Sequence, residues 1–181
     1  MEVTIKVDEP IGEGHSQQYL GVKIQKTAGG YALNPQEYVQ KLISDQGMGG
    51  ATPVATPGVA QGHDSEWEDT TVGRAEHSRY RTLVGQLLWL AGIRRDIGFA
   101  VKELARHVQA PTHGDVKRSK RVVRYLVGTQ NLSVPLVPTK TSPDLQLFVD
   151  SDWAGCQHTR RSTSGGCILF HDCVITAWSR T

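Results

Sequence analysis

Residues 80–129 read YRTLVGQLLWLAGIRRDIGFAVKELARHVQAPTHGDVKRSKRVVRYLVGT, and their apolar side chains recur at helical rather than strand spacing. From about Ser78 to Ala91, Tyr80, Val84, Leu87 and Ala91 fall at i, i+4, i+7 and i+11, which is one face of a helix. Asp96 can cap a second helix that stacks Ile97, Ala100, Val101, Leu104 and Val108 and is stopped by Pro111. A third helix is expected from about Gly114 to Val127. Successive helical residues advance by ~100°, which gathers Val116, Val122, Val123 and Leu126 on one side and Lys117, Arg121 and Arg124 within ~60° on the other. Lys120 and Arg118 flank that cationic front.

Upstream, the pattern is shorter and mixed. Gln18 to Gln25 (QYLGVKIQ) is strand-like, Thr27-Ala28-Gly29-Gly30 is a turn, and Tyr31-Ala32-Leu33 returns as a strand. Asn34 and Pro35 then suit an N-cap and first helical position for a helix reaching about Ser44. Residues 47–62 hold five glycines and two prolines and read as loop, followed by an acidic, solvated patch from Asp64 to Asp69. Downstream, Gly128 ends the third helix, and Pro135, Pro138 and Pro143 mark a junction. Leu145, Leu147 and Val149 then alternate with Gln146, Phe148 and Asp150. Gly166–Phe170 and Val174–Trp178 form two more expected strands, joined by a tight turn at His171-Asp172. Such a three-stranded meander, with no helices to cover it, leaves an unpaired edge, so the chain reads as a piece of something longer.

The fold class is therefore α+β: an N-terminal β-hairpin and helices, then a truncated three-stranded antiparallel meander. The expected division is 1–130, a linker at 131–143, and 144–181. The chain has 181 residues, of which 38% are apolar and 21% charged, a globular composition able to bury a core. Net charge is only +2, but Arg and Lys crowd between Arg74 and Arg124 while the first seventy residues lean acidic, so a local basic face can still steer a polyanion. Three cysteines without C-x-x-C spacing argue against a disulfide framework and for a reducing, intracellular compartment. His158 and His171 lie near them, but the spacings match no zinc pattern. No apolar run approaches the ~18–20 residues of a membrane span, so no membrane partner is expected.

Three long stretches carry a resemblance: Gln18–Leu42 (QYLGVKIQKTAGGYALNPQEYVQKL), Tyr80–Thr129, and Phe148–Trp178 (FVDSDWAGCQHTRRSTSGGCILFHDCVITAW). In this order and spacing they resemble the Pol polyprotein of copia-type LTR retrotransposons. The first is similar to the hairpin and helix after the polymerase palm, the second to the thumb and connection region. The third, with V-D-S-D-W-A-G and R-R-S-T-S-G, resembles the opening of the ribonuclease H domain. The family's Tyr-x-Asp-Asp polymerase signature is absent. Arg95 stands where family members usually have Pro, and Gly166 where an aromatic is common.

The resemblance implies that Asp150 is the first catalytic and metal-binding carboxylate of a ribonuclease H. Such a site uses several carboxylates around two Mg²⁺ or Mn²⁺ ions. Without the resemblance, an Asp at a strand end is usually a turn or cap residue. Asp152, two positions on, either shares the face of Asp150 or forms a turn before Trp153. Arg160, Arg161, Ser162, Thr163 and Ser164 either hold hybrid phosphates or make a polar hairpin loop. Lys117, Lys120, Arg121 and Arg124 are the nucleic-acid candidates, against the plainer reading of a solvated charged face. Tyr19, Leu20 and Gly21 resemble a primer-grip hairpin, or else form an ordinary amphipathic one. Trp89 and Trp153 are expected to pack rather than to stack on bases.

The implied partners are an RNA–DNA hybrid or template–primer and the rest of the Pol polyprotein. The expected function is that of a reverse transcriptase/ribonuclease H fragment, catalytically incomplete by itself. A non-enzymatic nucleic-acid-binding module using the basic helix at 114–127 is the alternative, and an interaction remnant the third reading.

Overall fold

The computed structural model describes residues 11–59, 70–139, 144–156 and 159–181. The acidic patch expected at 64–69, the last residues of the expected linker, and His158 lie outside the described residues. Among the described residues the fold is mixed α/β, with two antiparallel sheets and four α-helices. The first sheet has the order β1 (Ser16–Tyr19), β2 (Val22–Thr27), β3 (Gly30–Asn34) and β4 (Val134–Leu136). The second is β5 (Leu145–Ser151), β6 (Ser164–Phe170) and β7 (Cys173–Arg180), in that order.

The segment read as one strand over 18–25 is two strands. Leu20 (φ 49°) and Gly21 (φ 83°) are both left-handed and reverse the chain in a two-residue turn between Tyr19 and Val22. This is the turn geometry whose twist matches that of paired strands, and glycine takes it at no steric cost. The apolar Tyr19-Leu20 pair hides it from a periodicity reading. Within the stretch read as linker, Val134–Leu136 pairs with Tyr31–Leu33 as β4, so this part of the chain returns to the first sheet.

The helices hold the core. α1 (Gln36–Asp45) buries Val39, Leu42 and Ile43, and Asn34 Oδ1 accepts from the Gln36 amide at its start. α2 (Arg74–Ala91) begins four residues earlier than expected and buries Tyr80, Leu83, Val84, Leu87 and Leu90. A 3₁₀ turn (Arg95–Ile97) leads into α3 (Gly98–Arg106), which buries Val101 and Leu104. α4 (His113–Gly128) closes the cluster with Val122, Val123 and Leu126. Each fully buried Leu or Val removes enough apolar area from water to stabilise the fold by roughly 1.5–3 kcal/mol.

Asp96 does not cap α3, since no side chain caps that helix. Its carboxylate instead accepts from Arg94 Nη2 at 2.6 Å, Arg94 Nε at 2.9 Å and Tyr125 Oη at 2.8 Å. Arg94 is only 1% exposed, and its remaining donors go to Thr129 O (2.9 Å) and Thr129 Oγ1 (2.8 Å) at the end of α4. A buried guanidinium must satisfy its donors, and this ion pair outbids a local cap for the carboxylate. Burial alone raises the Asp96 carboxyl, but hydrogen bonds from Arg94 and Tyr125 outweigh it and hold the pKa below the ordinary range.

The second sheet packs against the helices through β7 and α3. Arg95 Nη2 donates to Ile175 O at 2.9 Å, and Lys102 Nζ to Thr181 Oγ1 at 2.7 Å. His171 (φ 49°) and Asp172 (φ 65°) form the expected tight turn between β6 and β7. Gly166 has a steric role: a Cβ there would lie 2.5 Å from Trp178 Cζ2 and 2.6 Å from Phe148 O, so the Trp178 ring occupies the place of a side chain. β5 is exposed along nearly its whole length, with Leu147 60% and Val149 68% exposed. None of the described helices is long and apolar enough to cross a membrane.

Candidate nucleic-acid interface

The geometry of α4 starts at its first turn. Thr112 and Asp115 form a capping box: Thr112 Oγ1 accepts from the Asp115 amide (3.2 Å), and Asp115 Oδ2 from the Thr112 amide (2.9 Å). The Thr-x-x-Asp spacing was readable in the sequence. The partners across space were not. Asp115 is buried, yet it also meets His107 Nδ1 at 3.2 Å and Arg118 Nη1 at 3.0 Å. Burial pushes its carboxyl up, but hydrogen bonds from His107 and from the Thr112 backbone prevail and bring it down to about 2. The same hydrogen bond to Asp115 raises the His107 imidazole, against the opposing effect of burial.

Burial of Val122, Val123 and Leu126 in the core turns the opposite side of α4 outward. Lys117 and Lys120 are exposed there. Arg121 and Arg124 are half-buried and tied to the loop at 51–59. Arg121 Nε donates to Gly58 O (3.0 Å) and its Nη2 to Thr56 Oγ1 (3.0 Å), while Arg124 Nε donates to Thr52 O (2.7 Å). The acceptors in these contacts are uncharged carbonyl and hydroxyl oxygens. The cationic front thus divides into two exposed lysines and two arginines bonded to the loop.

Tyr19 and Leu20 are exposed at the tip of the β1–β2 turn. Gly21 lies against the helices, where a Cβ would stand 3.3 Å from Tyr38 Cδ2. The Tyr38 and Trp89 rings sit 4.3 Å apart beneath it, so Trp89 packs as expected. Trp153 does not: it is 94% exposed. The neighbouring turn explains this. Asp152 Oδ1 accepts from the amides of Gly155 (3.0 Å) and Thr163 (2.8 Å), and Ala154 takes a positive φ of 54°, which throws residue 153 outward.

Asp150 is exposed near the end of β5, opposite Gly165, with Oδ1 accepting from the Ser151 amide at 2.9 Å. Asp152 takes the turn-forming role, and those two backbone hydrogen bonds hold its carboxyl below the ordinary range. In the loop that follows, hydroxyls are spent on folding. Ser162 Oγ accepts from the Ala154 amide (3.1 Å), and Thr163 Oγ1 pairs with Thr181 Oγ1 (2.8 Å). Ser164 opens β6 opposite Ser151. Arg160 and Arg161 present exposed side chains. Among the described residues no group of three or more His, Cys, Asp or Glu could hold a metal ion. One exposed carboxylate beside another committed to backbone amides does not fit a pair of Mg²⁺ or Mn²⁺ ions.

A chain with this order of sheet, helical cluster, cationic helix and meander has its relatives among retroelement proteins. It is 34% identical over 166 residues to an uncharacterized mitochondrial protein of Arabidopsis thaliana, covering 92% of this chain and 67% of that one. It is 33% identical over 147 residues to the retrovirus-related Pol polyprotein from transposon RE1 of Arabidopsis thaliana, covering 81% of this chain. The corresponding polyprotein from transposon TNT 1-94 of Nicotiana tabacum is 30% identical over 176 residues, covering 92% of this chain. The chain belongs to the copia-type LTR retrotransposon Pol polyprotein family. It spans 10% of the RE1 polyprotein and 13% of the TNT 1-94 polyprotein. No family model matches the chain. No solved structure matches it either.

Proposed function

We propose that this chain is the segment of a retroelement Pol polyprotein that joins the end of the reverse transcriptase to the start of its ribonuclease H domain. In this reading residues 1–130 belong to the thumb and connection region, 131–143 form the junction, and 144–181 open a ribonuclease H-like domain. Its task is to hold an RNA–DNA hybrid or template–primer for active sites built with other parts of the polyprotein. The parent enzyme's RNA-templated DNA synthesis and hybrid cleavage require Mg²⁺ or Mn²⁺ with several carboxylates. Among the described residues Asp150 is the one carboxylate matching that set, and hybrid cleavage by this chain alone is not expected.

The observation that carries the binding role is the split cationic side of α4. Lys117 and Lys120 are free to meet phosphates, and Arg121 and Arg124 add fixed positive charge behind them. Each phosphate neutralised releases counterions, so affinity falls steeply with salt, with a slope of about −0.9 per contact on duplex DNA. The test is affinity for an RNA–DNA hybrid across a salt series. Substituting Lys117 and Lys120 together by Ala is expected to reduce the slope by about 2. An unchanged slope and affinity would remove α4 from the interface.

A further inference from the structure

The sheet edges of this fold are blunted in different ways, with one exception. β1 is four residues long, and β4 is three and carries Pro135, which has no amide to offer. β7 lies against α3, where Arg95 Nη2 already takes the Ile175 carbonyl. β5 has none of these devices. It runs seven residues, holds no Pro, Lys or Arg, and pairs in unbroken register with β6 alone among the described strands. The irregularity of that sheet falls on the β6–β7 side, between Ile168 and Leu169.

The bonds at the two ends of β5 fix which backbone groups face outward. The His171 amide donates to Asp144 O and the Asp152 amide to Thr163 O, each at 3.0 Å. In an antiparallel ladder such bonds bracket a pair that is not itself hydrogen-bonded, so Leu145–Phe170 and Ser151–Ser164 are pairs of that kind. By alternation Leu147 and Val149 stand in such pairs too. The N–H and C=O groups of Leu145, Leu147, Val149 and Ser151 therefore point away from β6, where the Ser151 amide meets Asp150 Oδ1. The side chains of these four residues share one face of the strand, and Leu145, Leu147 and Val149 are exposed on it. Phe148 stands on the other face, 55% exposed.

We propose that two copies of this chain pair through β5, antiparallel about a two-fold axis at Phe148, and so join their three-stranded sheets into one continuous sheet. The occupant is a second copy because the strand is complementary to itself in this register. Leu147 meets Val149 of the other copy and Leu145 meets Ser151, so each outward-pointing residue faces another outward-pointing residue. Moving the axis to Leu147 or Val149 keeps that parity but leaves the Leu145–Ser151 pair unmade. The two Phe148 rings meet at the axis in a pair that is not hydrogen-bonded, the kind that brings side chains closest. Asp150, the sole charge of β5, lies opposite neutral Gln146 of the other copy, so no like charges oppose within the paired strands. This interface is separate from α4 and does not depend on nucleic acid.

Sedimentation equilibrium of the full chain tests this, with a dimer in equilibrium with monomer as the expected result. Leu147→Pro removes one outward amide and none of the bonds to β6, so its far-UV circular dichroism should match the parent while the dimer dissociation constant rises tenfold or more. Register is read by a second experiment, which decides the matter by itself if the proline variant does not fold. Leu147→Cys and Val149→Cys chains are mixed under mild oxidation, and the linked peptides are identified by mass spectrometry. The two sites face each other at about 5.5 Å between Cα atoms, within disulfide range, whereas identical sites in the two copies lie about 9 Å apart, beyond it. The mixed bridge is expected in tenfold or greater excess over either homotypic bridge. A parent chain that stays monomeric at its highest soluble concentration leaves the edge to some other strand of the polyprotein and overturns the proposal. Aggregates without a defined dimer overturn it too, as does a folded Leu147→Pro variant that dimerises like the parent. Homotypic bridges as abundant as the mixed one have the same consequence.

Discussion

Substituting Asp115 by Asn tests a densely connected, buried charge. This buried carboxylate receives the Thr112 amide, His107 and Arg118, and so ties the first turn of α4 to the end of α3. Its pKa falls from an ordinary 3.8 to about 2 on folding. A depressed carboxyl stabilises the fold above its unfolded value, and the stability is lost as pH falls from about 4 towards 2. About 2 units at ~1.4 kcal/mol each is roughly 2–3 kcal/mol. His107 has the opposite sign. Its folded pKa is raised above 6.5, so its contribution is complete below about pH 6.5 and is lost as pH rises through the raised value. Together they predict that this pair supports the fold most between about pH 4 and 6.5. Asn keeps the shape and one acceptor but not the charge. Urea unfolding followed by far-UV circular dichroism, repeated across pH, is the assay. The Asn variant should be less stable at about pH 5 and lose roughly 2–3 kcal/mol less than the parent on acidification. An NMR titration should show His107 moving back towards 6.5. Parallel pH–stability curves for the two proteins would refute the reasoning.

Two further outcomes follow from local geometry. Gly21 sits at φ 83° with Tyr38 3.3 Å from its absent Cβ, so Gly21→Val should cost about 1–2 kcal/mol in backbone strain, more with the contact, and lower Tm by several degrees; an unchanged Tm contradicts the turn assignment. Leu147, Phe148 and Val149 leave β5 as an exposed apolar strand, which is a template for association. Light scattering should fall on Leu147→Glu at equal concentration, and unaltered scattering would locate association elsewhere.

The parts of this fold legible in the sequence are those ruled by local periodicity. The apolar faces of α2 and α4 and the His171-Asp172 turn depend on spacing alone, and all three stand where the pattern placed them. What escaped was decided by contacts that spacing along the chain does not reveal. Asp96 looks like a cap until Arg94 and Tyr125 are brought to it, and Arg121 and Arg124 look free until the loop at 51–59 presents its carbonyls. The Leu20-Gly21 turn was hidden for another reason: its flanking residues are apolar, so the reversal interrupts no pattern. Asp150 is the contrasting case, since the sequence singled it out only through its family pattern.

The measurement closest to the centre of this account is hybrid cleavage. A labelled RNA–DNA hybrid is incubated with the chain and either Mg²⁺ or Mn²⁺, and the products are resolved on a gel. With Asp150 the one matching carboxylate among the described residues, where a two-ion site needs several, the RNA strand should stay intact with both metals. RNA fragments that appear with the parent chain and vanish with Asp150→Asn would contradict it.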